Sequence, residues 1–252
     1  MLPQDTRIIS ATDHGTSFWA SISRIETELV DDKSRKTYFL KACCLLFVLW
    51  LCTYVNVQVS DAEIARQMMH GEYESQKALY DFVPSFIPKP INWSTYTDKR
   101  TYFFLSEFIE MTGNIPPPPK FCAKLAELHL KSMQKSSPGG KFGFHLDTCQ
   151  GNILLTKDWC DTWEKYFCRT MEEMIEREQL TQGPCPEIDK LQKPLVEKVI
   201  PRLLRPLESN GRSIRPCLVH GDLWHGNTST SSDTNEPYAF DSCALWAHNE
   251  CT

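Results

Sequence analysis

Residues 217–227 read Cys-Leu-Val-His-Gly-Asp-Leu-Trp-His-Gly-Asn, an apolar strand that runs into a tight loop. Fourteen residues beyond Asn227, Tyr238-Ala239-Phe240-Asp241 is a second short strand that ends in an aspartate. Asp222, Asn227 and Asp241 thus bring three oxygen-bearing side chains from one loop and one strand end. Phosphoryl transfer needs such a set: a carboxylate beside the attacking hydroxyl, and hard oxygen donors that hold magnesium on the phosphates. An aspartate alone in a loop is usually a solvated turn residue. His-x-Asp, four residues, Asn, then an apolar strand ending in Asp is far more specific. A zinc set of His220, His225, Cys243, His248 and Cys251 competes, but these residues lack the paired spacings of zinc sites.

The rest of the chain supplies a framework of ordinary globular composition. The sequence has 252 residues, of which 41% are apolar and 23% charged, so wholesale disorder is excluded. With 27 basic and 32 acidic side chains the net charge is -5, which gives no bulk attraction to nucleic acid or to anionic membranes. Eleven cysteines without a CxxC pair, and a polar start with Pro3, Asp5 and Arg7, suit reduced thiols in a cytoplasmic protein.

The first forty residues read as β structure: Arg7 to Ile9, a turn over Asp13 to Ser17, alternation over Phe18 to Ile25, and a strand over Lys36 to Lys41. Ala42 to Cys52 is then eleven apolar residues in succession, and no charge appears before Asp61. That uncharged stretch falls near the roughly 20 residues of a membrane span, but its solidly apolar part has the length of a buried segment. A helix follows over Ala62 to Tyr80, with Ser60 or Asp61 as its cap, then a proline-punctuated connection from Phe82 to Pro90. Thr101 to Phe108 is a strand, and Met111 to Pro119 a loop whose four prolines suit a stiff connector. Helices are expected from Phe121, over Asp161 to Leu180, and over Lys190 to Leu207 with interruptions at Pro194 and Pro201. The stripe of Trp163, Tyr166, Phe167, Met171 and Met174 reads as core packing.

In the protein-kinase catalytic loop the base and the metal-binding Asn are likewise separated by four intervening residues, as Leu223 to Gly226 separate Asp222 and Asn227 here. HGDLWHGN followed by the strand end at Asp241 resembles the fructosamine/ketosamine-3-kinase family, and within it the fungal protein-ribulosamine 3-kinases. HGTSFW at His14 to Trp19, YFLK at Tyr38 to Lys41, MMHGEYES at Met68 to Ser75, LAELH at Leu125 to His129 and KFGFH at Lys141 to His145 extend the likeness along the chain. The resemblance implies an α+β, two-lobed protein-kinase-like fold of the aminoglycoside phosphotransferase group. Its N-lobe, residues 1–106, would be an antiparallel sheet with one helix. Its C-lobe, residues 107–252, would be mainly helical. It also implies ATP and magnesium as cofactors, and a glycated protein or small ketosamine as substrate, phosphorylated on the C3 hydroxyl so that the sugar is released. By the same resemblance Asp222 would be the base, and Asn227 and Asp241 the magnesium ligands. Lys41 would contact the phosphates and pair with Glu72 rather than Glu74. Gly15, Thr16 and Ser17 would cover the phosphates, and the backbone of Glu107 and Phe108 would meet adenine.

Two departures from the family pattern carry expectations of their own. The lysine strand of the family runs on as LKVS, so residues 42–58 read as an insertion, either translated intron or the result of a misjudged exon boundary. Lys41 and Glu72 are 31 positions apart, and removing those seventeen residues leaves 14, a plausible strand-to-helix link. A spanning helix there would put Lys41 and Asp222 on opposite sides of a membrane, so no membrane association is expected. Only eleven residues follow Asp241, where the family continues with further helices. A truncated C-lobe, uncovered apolar surface and weak or absent activity are therefore expected. The alternatives are another small-molecule kinase of the aminoglycoside/choline kinase group, or an inactive nucleotide-binding remnant.

Overall fold

Alternation in the first hundred residues produces a five-stranded antiparallel sheet in the order β1-β2-β3-β5-β4. The strands are β1 (Thr6–Asp13), β2 (Ser21–Leu29), β3 (Arg35–Cys44), β4 (Pro90–Thr95) and β5 (Thr101–Glu107). The computed structural model describes residues 2, 5–17, 19–44, 62–97, 99–151 and 153–251. Successive side chains of a strand point to opposite faces. In β3 this turns Lys41 and Cys43 to one face, and Tyr38 and Leu40 to the other. Against the first face packs α1 (Ala62–Tyr80), whose Ala65, Met68 and Met69 are buried with Cys43 and Phe104. Ile25, Tyr38 and Leu105 form a small cluster on the second face.

The helix has the bounds its sequence predicts; its proposed caps, Ser60 and Asp61, lie outside the described residues. Ala42 to Cys44, the first three residues of the apolar block, continue β3 and pair with both neighbours through Ala42, opposite Ser21 and Phe103. The strand therefore does not stop at Lys41. The remainder of the proposed insertion, 45–58, lies outside the described residues. No helix among the described residues is long and apolar enough to cross a membrane.

Beyond the sheet the chain is mainly helical. α2 (Pro118–Lys135) begins on the last two of the four prolines, because a missing N–H costs nothing in the first turn of a helix. A hairpin of two three-residue strands follows, β6 (Thr148–Gln150) and β7 (Ile153–Leu155), then α3 (Trp163–Gln182). Of the aromatic stripe on α3, Trp163 and Tyr166 are fully buried, while Phe167, Met171 and Met174 are half-buried. α4 (Pro186–Pro194) and α5 (Ile200–Leu204) are separated by a π-helical turn between the two predicted proline interruptions. Apolar surface is uncovered on this side: Leu180, Leu191 and Leu203 are 80, 63 and 65% exposed.

The last four strands pair in twos, and this pairing positions the sequence read first. β8 (Cys217–Val219) lies antiparallel to β11 (Leu245–Ala247), and β9 (Thr228–Thr230) to β10 (Pro237–Ala239). All six residues of the first pair are buried, in a core with Leu79, Phe86, Leu128, Phe142 and Trp163. Fully burying each such aliphatic or aromatic side chain contributes about 1.5–3 kcal/mol. The catalytic-type loop after β8 and the aspartate after β10 are thus held between two strand pairs that rest on the main core.

Candidate active site

The site begins with a lysine the sheet cannot leave in water. Lys41 sits mid-sheet, opposite Ile22 on β2 and Phe104 on β5, and its side chain is 8% exposed. A buried ammonium requires partners. Its Nζ lies 2.8 Å from Oε2 of Glu72 on α1 and 2.5 Å from Oδ1 of Asp241, 200 positions away in sequence. Burial alone would lower the Lys41 pKa, but the Asp241 and Glu72 carboxylates outweigh it and hold the ammonium above its ordinary range. Burial pushes the Glu72 carboxyl up to about 7, against the pull of Lys41. Burial also opposes charge on Asp241, yet Lys41 beside it keeps that carboxyl below its usual value. Glu74, the competing partner, instead faces His145 at 3.5 Å.

The loop after β8 is built around His220, buried with both ring nitrogens engaged. Nδ1 accepts the N–H of Asp222 at 3.3 Å, so Nε2 carries the proton and donates to the carbonyl of Phe240 at 3.0 Å. One imidazole thereby ties the backbone of Asp222 to the residue before Asp241. Burial pushes its pKa down to about 4, so the ring is neutral. Gly221 has φ +83°, and a Cβ there would stand 2.2 Å from the carbonyl oxygen of Cys243, so only glycine passes this point. The His220 carbonyl accepts the N–H of Cys243 at 3.1 Å, which closes the loop on the strand that follows Asp241.

The Asp222 carboxylate is held from both sides. Nδ2 of Asn227 donates to Asp222 Oδ2 at 3.0 Å and to its backbone carbonyl at 2.8 Å. Nε2 of Gln150, on β6, donates to Oδ1 at 3.1 Å. With its nitrogen so engaged, Asn227 keeps its amide oxygen available as an acceptor. That oxygen and the Asp241 carboxylate are hard donors of the kind magnesium takes. Asp241 itself adopts φ +60°, uncommon for a residue with a side chain and typical of sites where the fold imposes a conformation. Its side chain stays 50% exposed, whereas those of Lys41 and Glu72 behind it are 8 and 11% exposed.

The remaining predicted residues frame this cluster. Gly15, Thr16 and Ser17 form the turn between β1 and β2, at the end of β2 where Ile22 faces Lys41. Gly15 has φ +74° with open space around it. The His14 ring meets Phe108 edge-on at 4.9 Å, and the Arg24 guanidinium lies over the same ring. At the end of β5 the Glu107 N–H donates to the Lys89 carbonyl at 2.8 Å, and the Phe108 N–H to the Thr37 carbonyl at 3.4 Å. Both hinge amides are therefore engaged within the protein. A cavity of about 560 Å³ opens at this hinge, lined by Arg24, Lys36, Tyr38, Lys89, Glu107 and Phe108, and does not include the cluster around Lys41. The residues of the zinc alternative do not converge: among the described residues no three His, Cys, Asp or Glu side chains gather as a metal site.

Two members of the site escape a sequence reading. His220 is visible in the motif, but its role as a brace depends on a contact with Phe240, twenty positions away. Gln150 lies in a strand of three residues, too short to show alternation, and 72 positions before the aspartate it touches.

Comparison with known proteins identifies the family and the fold. The family model described as fructosamine kinase matches residues 53–252. The chloroplastic protein-ribulosamine 3-kinase of Oryza sativa subsp. japonica is 31% identical over 194 residues, which cover 76% of this chain and 52% of that protein. The ketosamine-3-kinase of Mus musculus is 28% identical over 219 residues, 78% of this chain and 67% of that protein. The chain spans about half the length of the rice relative. A solved structure from Haemophilus somnus 129PT, assigned as a fructosamine-3-kinase, superposes with TM-score 0.66 at 19% identity, over 97% of this chain and 69% of that one. A thermostable mutant of aminoglycoside phosphotransferase APH(4)-Ia, in ternary complex with AMP-PNP and hygromycin B, gives TM-score 0.56 at 12% identity, over 96% and 70%. Both establish the protein-kinase-like fold.

Proposed function

Because the chain belongs to the fructosamine kinase family, we propose that it transfers the terminal phosphoryl group of ATP to the C3 hydroxyl of a ketosamine. The substrate would be the ribulose or fructose adduct of a lysine, on a protein or free, in the cytoplasm. The phosphorylated adduct would then lose its sugar. The observation that carries this reading is the joining of Lys41 from the sheet, Glu72 from α1 and Asp241 from the last fifty residues in one ion-paired cluster, within one loop of Asp222.

Each role follows from the surroundings of the residue. Asp222 accepts the proton of the substrate hydroxyl, its carboxylate already oriented by amide donors. Asn227 and Asp241 hold magnesium, which when bound neutralises charge on the phosphates. Lys41, braced by Glu72, faces the same phosphates, and the turn over Gly15, Thr16 and Ser17 covers them. Thr37, bonded to Phe108, and Lys41 are four residues apart on β3, about 13 Å at the rise of a strand, comparable to the reach of a nucleotide from base to phosphates. At the hinge of Glu107 and Phe108 the base finds both amides already used within the protein. The protein contributes position and charge rather than covalent chemistry.

The reading is tested by incubating the purified chain with Mg-ATP and a panel of lysine-derived ribulosamine and fructosamine, aminoglycosides and choline. The expected product is a ketosamine 3-phosphate, identified by phosphorus NMR, with no phosphate on the other acceptors. Phosphorylation of an aminoglycoside or choline in preference to both ketosamines would overturn it.

A further inference from the structure

The β6–β7 hairpin does not belong to the sheet, to the helices or to the strand pairs around Asp222, yet it touches three parts of the site. Its Gln150 donates to Asp222 Oδ1 at 3.1 Å. Its Gly151, at φ +59°, leaves room for the indole of Trp19: a Cβ there would lie 3.2 Å from the indole nitrogen. Trp19 closes the segment that begins with the turn over Gly15, and its carbonyl accepts the Cys43 thiol at 3.3 Å, two residues beyond Lys41. At the base of the hairpin, α1 comes so close that a Cβ on Gly71 would lie 3.0 Å from the Asp147 carbonyl oxygen and 3.2 Å from the Cα of Thr148. Gly71 directly precedes Glu72, the partner of Lys41. The hairpin is therefore wedged between α1, the turn segment and the Asp222 loop.

We propose that Gln150 is a positioning residue for Asp222 and that this hairpin is the strut that delivers it. The inference rests on the phosphotransfer reading above and adds a residue to it. The terminal torsion of an aspartate is broad and roughly two-fold, so a single donor leaves the carboxylate plane poorly defined. Here Asn227 holds Oδ2 and Gln150 holds Oδ1, one amide N–H on each oxygen, which defines the plane. A carboxylate oxygen has two acceptor sites, so each keeps one for an incoming hydroxyl. Gln150 does not meet the reacting atoms; it acts through the aspartate. Because its strand is packed against α1 beside Glu72, the orientation of the base and the placement of Lys41 depend on one rigid element.

The test compares the chain with Gln150→Met, which keeps length and shape without the donor, and Gln150→Glu, which sets a like charge against Asp222. Turnover is followed with Mg-ATP and Nα-acetyl-lysine carrying ribulose or fructose. The expected result is a kcat lower by about tenfold or more in Gln150→Met, the loss of one charge-assisted hydrogen bond, and lower still in Gln150→Glu. The Kd for Mg-ATP stays within twofold and the melting temperature does not change. A kcat within twofold of wild type in Gln150→Met, or a kcat lost only together with nucleotide affinity and thermal stability, overturns the proposal. A second measurement separates it from the functional reading: the side-chain amide NMR signals of Gln150 are expected to shift in Asp222→Asn. Signals that stay in place overturn the positioning role even if ketosamine is phosphorylated. A wild-type chain that leaves ketosamine untouched removes the kinase reading, while these signals still decide whether Gln150 holds Asp222.

Discussion

His220 shows how much of the site is set by a residue that never needs to meet a ligand. Its neutral ring joins the Asp222 amide to the Phe240 carbonyl, and protonation would replace an acceptor with a donor at Nδ1. The ring titrates near 6.5 when unfolded and about 4 when folded, so between those values the unfolded chain binds more protons. Stability is therefore complete above about pH 6.5 and falls as pH drops towards 4, by about 3 kcal/mol at most. Denaturant titrations across that range should show the loss, and the His220 NMR resonances should stay in the neutral form down to about pH 4. The neighbouring Gly221 makes a sharper case. Gly221→Ala forces a methyl group to 2.2 Å from the Cys243 carbonyl at a positive φ, and is expected to destabilise the fold by about 3 kcal/mol or more in thermal unfolding.

Among elements, α1 is the one through which the two halves of the site communicate. Beyond Glu72 it places Ser75, fully buried, where its hydroxyl accepts the Ala244 N–H at 3.0 Å, three residues past Asp241. Ser75→Ala leaves that buried amide without an acceptor, and a loss of about 1–3 kcal/mol is expected in urea unfolding. The sequence announces α1 residue for residue, because nineteen positions give its periodicity room to repeat. It announces β2 by alternation, β3 as a short strand that the structure carries three residues past Lys41, and β5 within one residue of its end. β4 stays hidden because Pro90 opens it directly after a proline-punctuated connection. β6 and β7 stay hidden because three residues cannot display a period. The pairing of Lys41 with Glu72 rather than Glu74 was legible through the family resemblance alone. The third partner, Asp241, and the brace from Gln150 are products of the tertiary fold, and no spacing encodes them.

At the scale of the molecule, the sheet and α1 supply one side of the site, and the strand pairs over the main core supply the other. The Lys41–Asp241 contact spans the two. A nucleotide bound across them should stabilise both together, by about 2.7 kcal/mol at a hundred times its Kd. Mg-ATP is thus expected to raise the melting temperature in a single cooperative transition, and Lys41→Met to abolish the rise. The fold was legible at this scale from a loop of eleven residues and a strand end, through the family resemblance that those residues carry. The most direct test of the account is a comparison of wild type with Asp222→Asn, following both Mg-ATP binding and the appearance of phosphorylated ketosamine. The account expects equal binding of Mg-ATP by the two chains, product from wild type, and at least a hundredfold slower formation in the variant. Equal turnover by both chains, or tight Mg-ATP binding by wild type with no ketosamine phosphate formed, would contradict it.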